Sequence, residues 1–94
     1  MVRCEGCETG GLHGCPCCGY VTVLEEFDIC EICRWEHDSV QESQPDSPTG
    51  ANRVSLREAQ MNFVKFGACE EAVRKRTVEP TSEHKRDPFW RPLQ

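Results

Sequence analysis

With 94 residues, of which 37% are hydrophobic and 7% aromatic, the chain has room for one small domain with a small core. Its eight cysteines could supply the staple that so small a domain needs, as disulfides or as metal ligands. The formal charge of −5 is uneven: residues 1–53 hold three basic and ten acidic side chains, whereas residues 54–94 hold eight basic and six acidic ones. A first half with a charge of −7 repels phosphates, so we expect that nucleic acid is not the partner.

The cellular compartment decides between the two uses of cysteine. The first residues, MVRCEGCETGGLHG, contain no apolar segment of the kind that a secretory signal needs. No stretch of the sequence approaches the ~20 apolar residues of a membrane helix. We therefore expect a cytoplasmic protein that does not associate with a membrane. Because the cytoplasm is reducing, the cysteine pairs are interpreted as metal ligands rather than as disulfides.

Composition divides the chain into three parts. Residues 1–14 form a Cys- and Gly-rich extension, residues 15–80 hold the predicted domain, and residues 81–94 form a polar tail. Within that tail, Phe89 and Trp90 are apolar enough either to fold back on the domain or to dock on a partner.

Two short strands are predicted in the first part of the domain. Residues 20–24 are rich in β-branched and aromatic side chains, and residues 27–29 alternate between apolar and polar ones. Glu25 and Glu26 would form the turn between them. The pattern predicts a β-hairpin with a cysteine pair at each end.

A helix is predicted after a loop. Residues 39–53 contain two prolines and a glycine and are interpreted as the loop. Ser55 and Glu58 then have the spacing of a capping box, and Gly67 suits a left-handed C-cap. A second short helix is predicted over residues 69–75. The apolar stripe that should face the core consists of Leu56, Ala59, Phe63 and Phe66.

Two C-x2-C pairs carry the strongest signal in the sequence: Cys15 with Cys18, and Cys30 with Cys33. Eleven residues lie between the pairs, enough for a short hairpin that brings them together. Four thiolates then complete a tetrahedral S4 site, the geometry that zinc prefers. Because protein sulfur would fill every coordination position, such a site is structural, and we do not expect an enzyme.

Three neighbours of these pairs have expected roles. Gly19 can take the positive φ that a tight cysteine turn requires. The Trp35 indole is expected to pack over the metal site as part of the core. Asn52 is expected to bond to loop backbone, the usual use of this residue in turns.

A resemblance to the bacterial cysteine-rich CPCC family is carried by three segments: CPCCGYVTVLEEFDICEICRWEHD, GANRVSLREAQMNFVKFGACEE and VRKRTVEP. They run from about Cys15 to Pro80 in the same order and with similar gaps. The resemblance implies a small zinc-ribbon-like protein. Together with the residue patterns above, it predicts a small α+β domain, with a zinc-ribbon-like hairpin against one or two short helices and irregular tails at both ends. It implies no catalytic residues. The sequence departs from the pattern at His37 and in the extension that holds Cys4 and Cys7.

The remaining four cysteines are open to two interpretations. Cys17 lies between two of the predicted ligands and Cys69 follows the predicted helix, so both could be buried core thiols. Cys4 and Cys7 form a third C-x2-C pair, which either lacks a metal or finds further ligands. The candidates for a second zinc site are Cys4, Cys7, Cys17 and Cys69, with His13 or His37 as replacements.

These features predict a structural-zinc protein that acts as a protein-interaction module. A concrete version is an acidic inhibitor or immunity-type protein that binds a basic partner, which charge and size permit. One alternative is a nucleic-acid-binding zinc ribbon, which the acidic first half opposes. Another is a redox- or metal-sensing thiol protein, whose thiolates would need electropositive neighbours.

Overall fold

The computed structural model describes residues 12–93. Along this part of the chain no helix is both long and apolar enough to cross a bilayer. The helices and strands follow the chain in the order β1 (His13–Gly14), β2 (Val21–Val23), α1 (Ser39–Glu42), α2 (Leu56–Phe66) and a 3₁₀ helix (Glu71–Arg76).

The sheet has two antiparallel strands, β1 and β2. His13 pairs with Val23 and Gly14 with Val21, with an irregularity in register between the two pairs. The first cysteine pair lies in the connection between these strands. A hairpin is therefore present, but the predicted pairing of β2 with residues 27–29 is wrong.

The chain turns away after β2 because Asp28 organises the turn. Its carboxylate accepts hydrogen bonds from the amides of Leu24 and Glu25, at 2.9 and 2.8 Å. The hydrogen bonds from the backbone of Glu25 and then of Leu24 lower the pKa of Asp28, since they favour the charged carboxylate. Phe27 in this turn has a φ of 71°, which a glycine would adopt more readily.

Residues 27–29 pair instead with the segment that follows the second cysteine pair. Ile29 and Glu36 form an antiparallel bridge, and the His37 amide donates to the Asp28 carbonyl at 2.8 Å. Each cysteine pair therefore lies at the tip of its own antiparallel unit. This arrangement corrects the prediction that both pairs flank a single hairpin.

A short helix, α1, interrupts the region that was predicted as a loop. Asp38 caps it by accepting hydrogen bonds from the amides of Val40 and Gln41. In return, the Glu42 carboxylate accepts from the Asp38 amide at 2.9 Å. The sequence signal for this start was Asp38 itself, a residue type that is favoured at the N-cap of a helix. The buried Gln41 side-chain nitrogen lies 3.0–3.2 Å from the carbonyls of Ser47, Asn52 and Val54.

Asn52 joins this loop to the second antiparallel unit. Its side chain accepts from the Glu36 amide and donates to the Glu36 carbonyl, both at 2.8 Å. Asn52 also donates to the Gln41 side-chain oxygen at 3.1 Å. The expected backbone contacts of Asn52 are present, but they reach sixteen residues back along the chain rather than within its own loop.

Both predicted ends of α2 are confirmed. The Ser55 hydroxyl accepts from the Glu58 amide at 3.1 Å, and Gly67 closes the helix with a φ of 74°. The Gly67 amide donates to the Phe63 carbonyl. The predicted apolar stripe is buried at its start and half-buried at its end, in the order Leu56, Ala59, Phe63 and Phe66.

The segment after α2 differs from the prediction of a helix over residues 69–75. Cys69 lies before the helix, and its amide donates to the Cys33 carbonyl at 2.7 Å. Glu70 is extended, with a φ of −151°, so the 3₁₀ helix begins only at the next residue.

The core is small, and half of it is cysteine. Six of the twelve buried hydrophobic residues that the described chain contains are cysteines. Trp35 is the largest fully buried side chain, and its indole nitrogen donates to Glu42 at 2.9 Å. The apolar residues that pack with these cysteines are Val23, Ile32, Trp35, Leu56 and Ala59.

Candidate metal centre

The first cysteine pair forms a tight turn, here called the first knuckle (residues 15–20). The Gly19 amide donates to the Cys15 carbonyl at 2.7 Å, and the Cys15 amide donates to the Tyr20 carbonyl at 2.7 Å. Gly19 has a φ of 83°, the left-handed conformation that was expected for it. This turn places Cys15 and Cys18 on the same side of the backbone, facing the second pair.

The second pair forms an equivalent turn, the second knuckle (residues 30–35). The Arg34 amide donates to the Cys30 carbonyl at 2.7 Å, and the Cys30 amide donates to the Trp35 carbonyl at 2.9 Å. Arg34 occupies the position of Gly19 and has nearly the same φ, 73°. A positive φ at Arg34 was not predicted, because this conformation is expected from a sequence at glycine and is uncommon at an arginine.

The two knuckles bring four sulfur atoms together. All four lie within 4.8 Å of one another, and the four cysteines have no exposed surface. The Sγ atoms of Cys15 and Cys33 are 3.6 Å apart, and those of Cys18 and Cys30 are 3.7 Å apart. A tetrahedron with metal–sulfur bonds of 2.3 Å has edges of about 3.8 Å, so these spacings fit a tetrahedral ion.

The shared protons of this cluster shift its pKa values in opposite directions. Hydrogen bonding with Cys15 above all lowers the pKa of Cys30, whereas hydrogen bonding with Cys18 raises the pKa of Cys15. The Cys15 contact also raises the pKa of Cys33. Of these three cysteines, Cys30 is the one whose thiolate form the shared protons favour. A bound divalent cation would replace those protons.

Two further groups donate to the sulfurs. The Thr22 hydroxyl lies 2.9 Å from the Cys30 Sγ, and the Trp35 amide lies 3.4 Å from the Cys33 Sγ. Donors of this kind stabilise thiolate charge and fix the orientation of a ligand. The role of Thr22 was not predicted, since it depends on how β2 pairs.

The polar tail covers the first knuckle, in a segment here called the strap (residues 85–93). Trp90 donates its indole N–H to the Pro16 carbonyl at 2.7 Å. Its ring lies so close to Gly19 that a Cβ atom there would be 2.7 Å from Trp90 Cδ2. The sequence left open whether Phe89 and Trp90 fold back on the domain or dock on a partner. Trp90 folds back on the domain, whereas Phe89 is 85% exposed.

Arg86 fixes the strap next to Trp90. Its Nε donates to the Cys18 carbonyl at 3.0 Å. The guanidinium lies 4.9 Å from the centre of the Tyr20 ring and 5.2 Å from that of Trp90, within cation–π range of both. Tyr20 and Arg86 also form an antiparallel bridge, so the strap continues the pairing at the edge of β2.

Among the described residues, the other candidate ligands are not members of the four-sulfur cluster. The Cys17 thiol donates to the Ala59 carbonyl at 3.4 Å, and burial raises the pKa of Cys69 to about 12. Both are buried, as the core-thiol interpretation expects. His37 pairs with Glu42 at 2.9 Å, so it is not freely solvated. The extension cysteines of the predicted second site, Cys4 and Cys7, lie outside the described residues, and in the described part the one group suited to a metal is Cys15, Cys18, Cys30 and Cys33.

Two cysteine knuckles around a buried four-sulfur cluster define a small metal-binding protein. The family model described as Cysteine-rich CPCC matches residues 13–84, about three quarters of the chain, and the chain belongs to that family. No curated protein matches the sequence. The resemblance found in the sequence is therefore confirmed, and the strap lies just beyond the matched residues.

Gly19 and Gly67 form a matched pair for testing the strap, because their φ values are 83° and 74°. A Cβ atom at Gly67 meets nothing within 4 Å, whereas one at Gly19 meets Trp90. We expect Gly67→Ala to lower the free energy of unfolding by about 1 kcal/mol and Gly19→Ala to lower it by about 2–4 kcal/mol, as measured by thermal unfolding. Equal costs would show that Trp90 does not pack on the first knuckle.

Removal of the Trp90 ring should expose the first knuckle to reagents. We expect Trp90→Ala to speed the slowest phase of thiol labelling, which the buried cysteines supply, by about tenfold, because local opening becomes easier. Phe89→Ala is the control, since this neighbouring ring is exposed. The same rate in both variants would contradict a protective strap.

Proposed function

We propose that Cys15, Cys18, Cys30 and Cys33 bind one zinc ion that holds the two antiparallel units together. The observation that carries this proposal is the buried cluster of four sulfurs with tetrahedral spacing. An all-sulfur tetrahedral site suits zinc, because its filled d shell imposes no other geometry and structural zinc sites are tetrahedral. The two knuckles, with their matching hydrogen bonds, are the arrangement from which a zinc-ribbon-like site would be built.

The proposed role of the ion is structural rather than catalytic. Four protein sulfurs would fill the coordination shell, which leaves no position for a water molecule or a substrate. The four cysteines have no exposed surface through which a reactant could reach the centre. When bound, zinc would supply folding free energy on the order of 10 kcal/mol, which a core of this size needs.

Loss of one ligand tests this proposal. Protein purified without added metal should contain zinc, and Cys30→Ser should lose both the metal and cooperative unfolding. Cys69→Ser is the matched control, because this cysteine is equally buried but lies outside the cluster. Metal analysis and circular dichroism of both variants give the answer. A well-folded, metal-free Cys30→Ser protein would contradict a structural site, and visible thiolate-to-iron absorbance would identify iron instead of zinc.

We further propose that this scaffold binds a protein partner through an acidic surface. The support is the formal charge of −7 on residues 1–53, which includes the exposed side chains of Glu25, Glu26 and Glu31 close to the knuckles. A basic protein surface, of the kind that an acidic inhibitor meets, is complementary to such a charge.

The same charge distribution should make binding to nucleic acid weak. The compact cationic cluster of Arg74, Lys75 and Arg76 offers only two or three phosphate contacts. At ~150 mM salt we expect dissociation constants weaker than ~10⁻⁴ M for duplex DNA, single-stranded DNA and RNA, measured by fluorescence anisotropy. Micromolar binding that disappears when these three residues are changed to Glu would reverse the conclusion.

A further inference from the structure

A small cavity lies between the second knuckle, the loop before α2 and the 3₁₀ helix. Its volume is about 160 Å³. Three arginines line it, and each comes from a different one of these segments: Arg34, Arg53 and Arg76. Arginines from separate segments line one cavity only because of the fold, so local patterns in the sequence could not predict it.

Within the described part of the chain, the three arginine side chains lack polar partners. Among residues 12–93, none of them makes a side-chain hydrogen bond or an ion pair. By contrast, Arg74 pairs with Glu71, and Arg86 bonds to the first knuckle. Positive groups placed together without partners provide donors for an anion.

Arg34 reaches the cavity from a constrained backbone. Its φ of 73° is set by the second knuckle, where the equivalent position in the first knuckle is Gly19. Glycine would satisfy the same turn without strain. An arginine side chain is therefore present at a position where the geometry of the turn would favour glycine.

The other residues that line the cavity restrict the kind of anion. Glu36 and Glu70 add two carboxylates, so the five charged side chains carry a formal charge of +1. One negative charge on a ligand would neutralise these five groups. The two carboxylates would repel the multiple negative charges of a polyphosphate. Ile29 and Val73 add apolar surface next to the charged groups.

We propose that this cavity binds a ligand carboxylate that lies next to an apolar group, as at the carboxyl terminus of a peptide. Guanidinium groups pair with carboxylates through two parallel hydrogen bonds. The oxygens of Glu36 and Glu70 can accept an amide N–H of the same ligand. A volume of 160 Å³ equals that of about five water molecules and suits one terminal residue.

The inference deepens the proposed protein-binding role, because it names a chemical group that a partner would present. It does not depend on the acidic surface or on the identity of the metal. Metal content is measured in every sample, so that failure of the zinc proposal and failure of the cavity proposal are told apart.

The test titrates the full, metal-loaded chain with N-acetyl-leucine and follows backbone amide shifts by NMR. N-acetyl-leucinamide, which lacks the carboxylate, and inorganic phosphate are the comparison probes. Saturable shifts at Glu36, Asn52 and Cys69 are expected with N-acetyl-leucine, and weaker ones with both comparison probes.

Arg34→Gly is the decisive variant, since glycine keeps the positive φ of the knuckle while the guanidinium is lost. It should weaken binding of N-acetyl-leucine by about tenfold or more, as should Arg53→Ala. Lys75→Ala is the control, because this exposed cation does not line the cavity. The proposal would be overturned if the shifts do not saturate or if N-acetyl-leucinamide produces an equal response. It would also be overturned if phosphate binds more tightly, or if Arg34→Gly leaves binding of N-acetyl-leucine unchanged.

Discussion

Four sulfur atoms that lie within 4.8 Å of one another and away from water are the constraint on which this fold depends. Deprotonated sulfurs at such distances repel, so the site requires either shared protons or a cation. The surrounding backbone meets this requirement by closing two equivalent turns, one at Gly19 and one at Arg34. Hydrogen bonds from Thr22 and Trp35 then reach individual sulfurs.

The same cluster explains why so small a core can hold several segments in place. Segments from distant parts of the sequence bond to the carbonyls of the knuckles. The Cys69 amide reaches Cys33, the Val78 amide reaches Glu31, and Trp90 reaches Pro16. These contacts satisfy polar groups that a larger domain would satisfy through a sheet. Because half of the buried hydrophobic residues are cysteines, loss of the proposed metal would remove the centre against which these segments pack.

Local patterns in the sequence predicted the features that depend on residues close together in the chain. Cys15 and Cys18 share one turn, so their spacing was informative, and the ends of α2 were readable from Ser55 and Gly67. Contacts between distant segments were not readable in this way. The partner of β2 depends on how Asp28 redirects the chain, and the arginine cavity depends on three segments meeting. The Asp38 cap that starts α1 was visible in the sequence but was missed, because the residues after it were interpreted as a loop.

The late position of the strap in the sequence means that it is synthesised after both knuckles. Trp90 and Pro16 are 74 residues apart, so the first knuckle emerges from the ribosome well before the side chain that covers it. Both knuckles can close first, because their own hydrogen bonds span only a few residues. During this interval the first knuckle has the open side on which Trp90 later packs. A metal ion would therefore enter a site that is still accessible, and residues 85–93 would cover it only when translation has passed them.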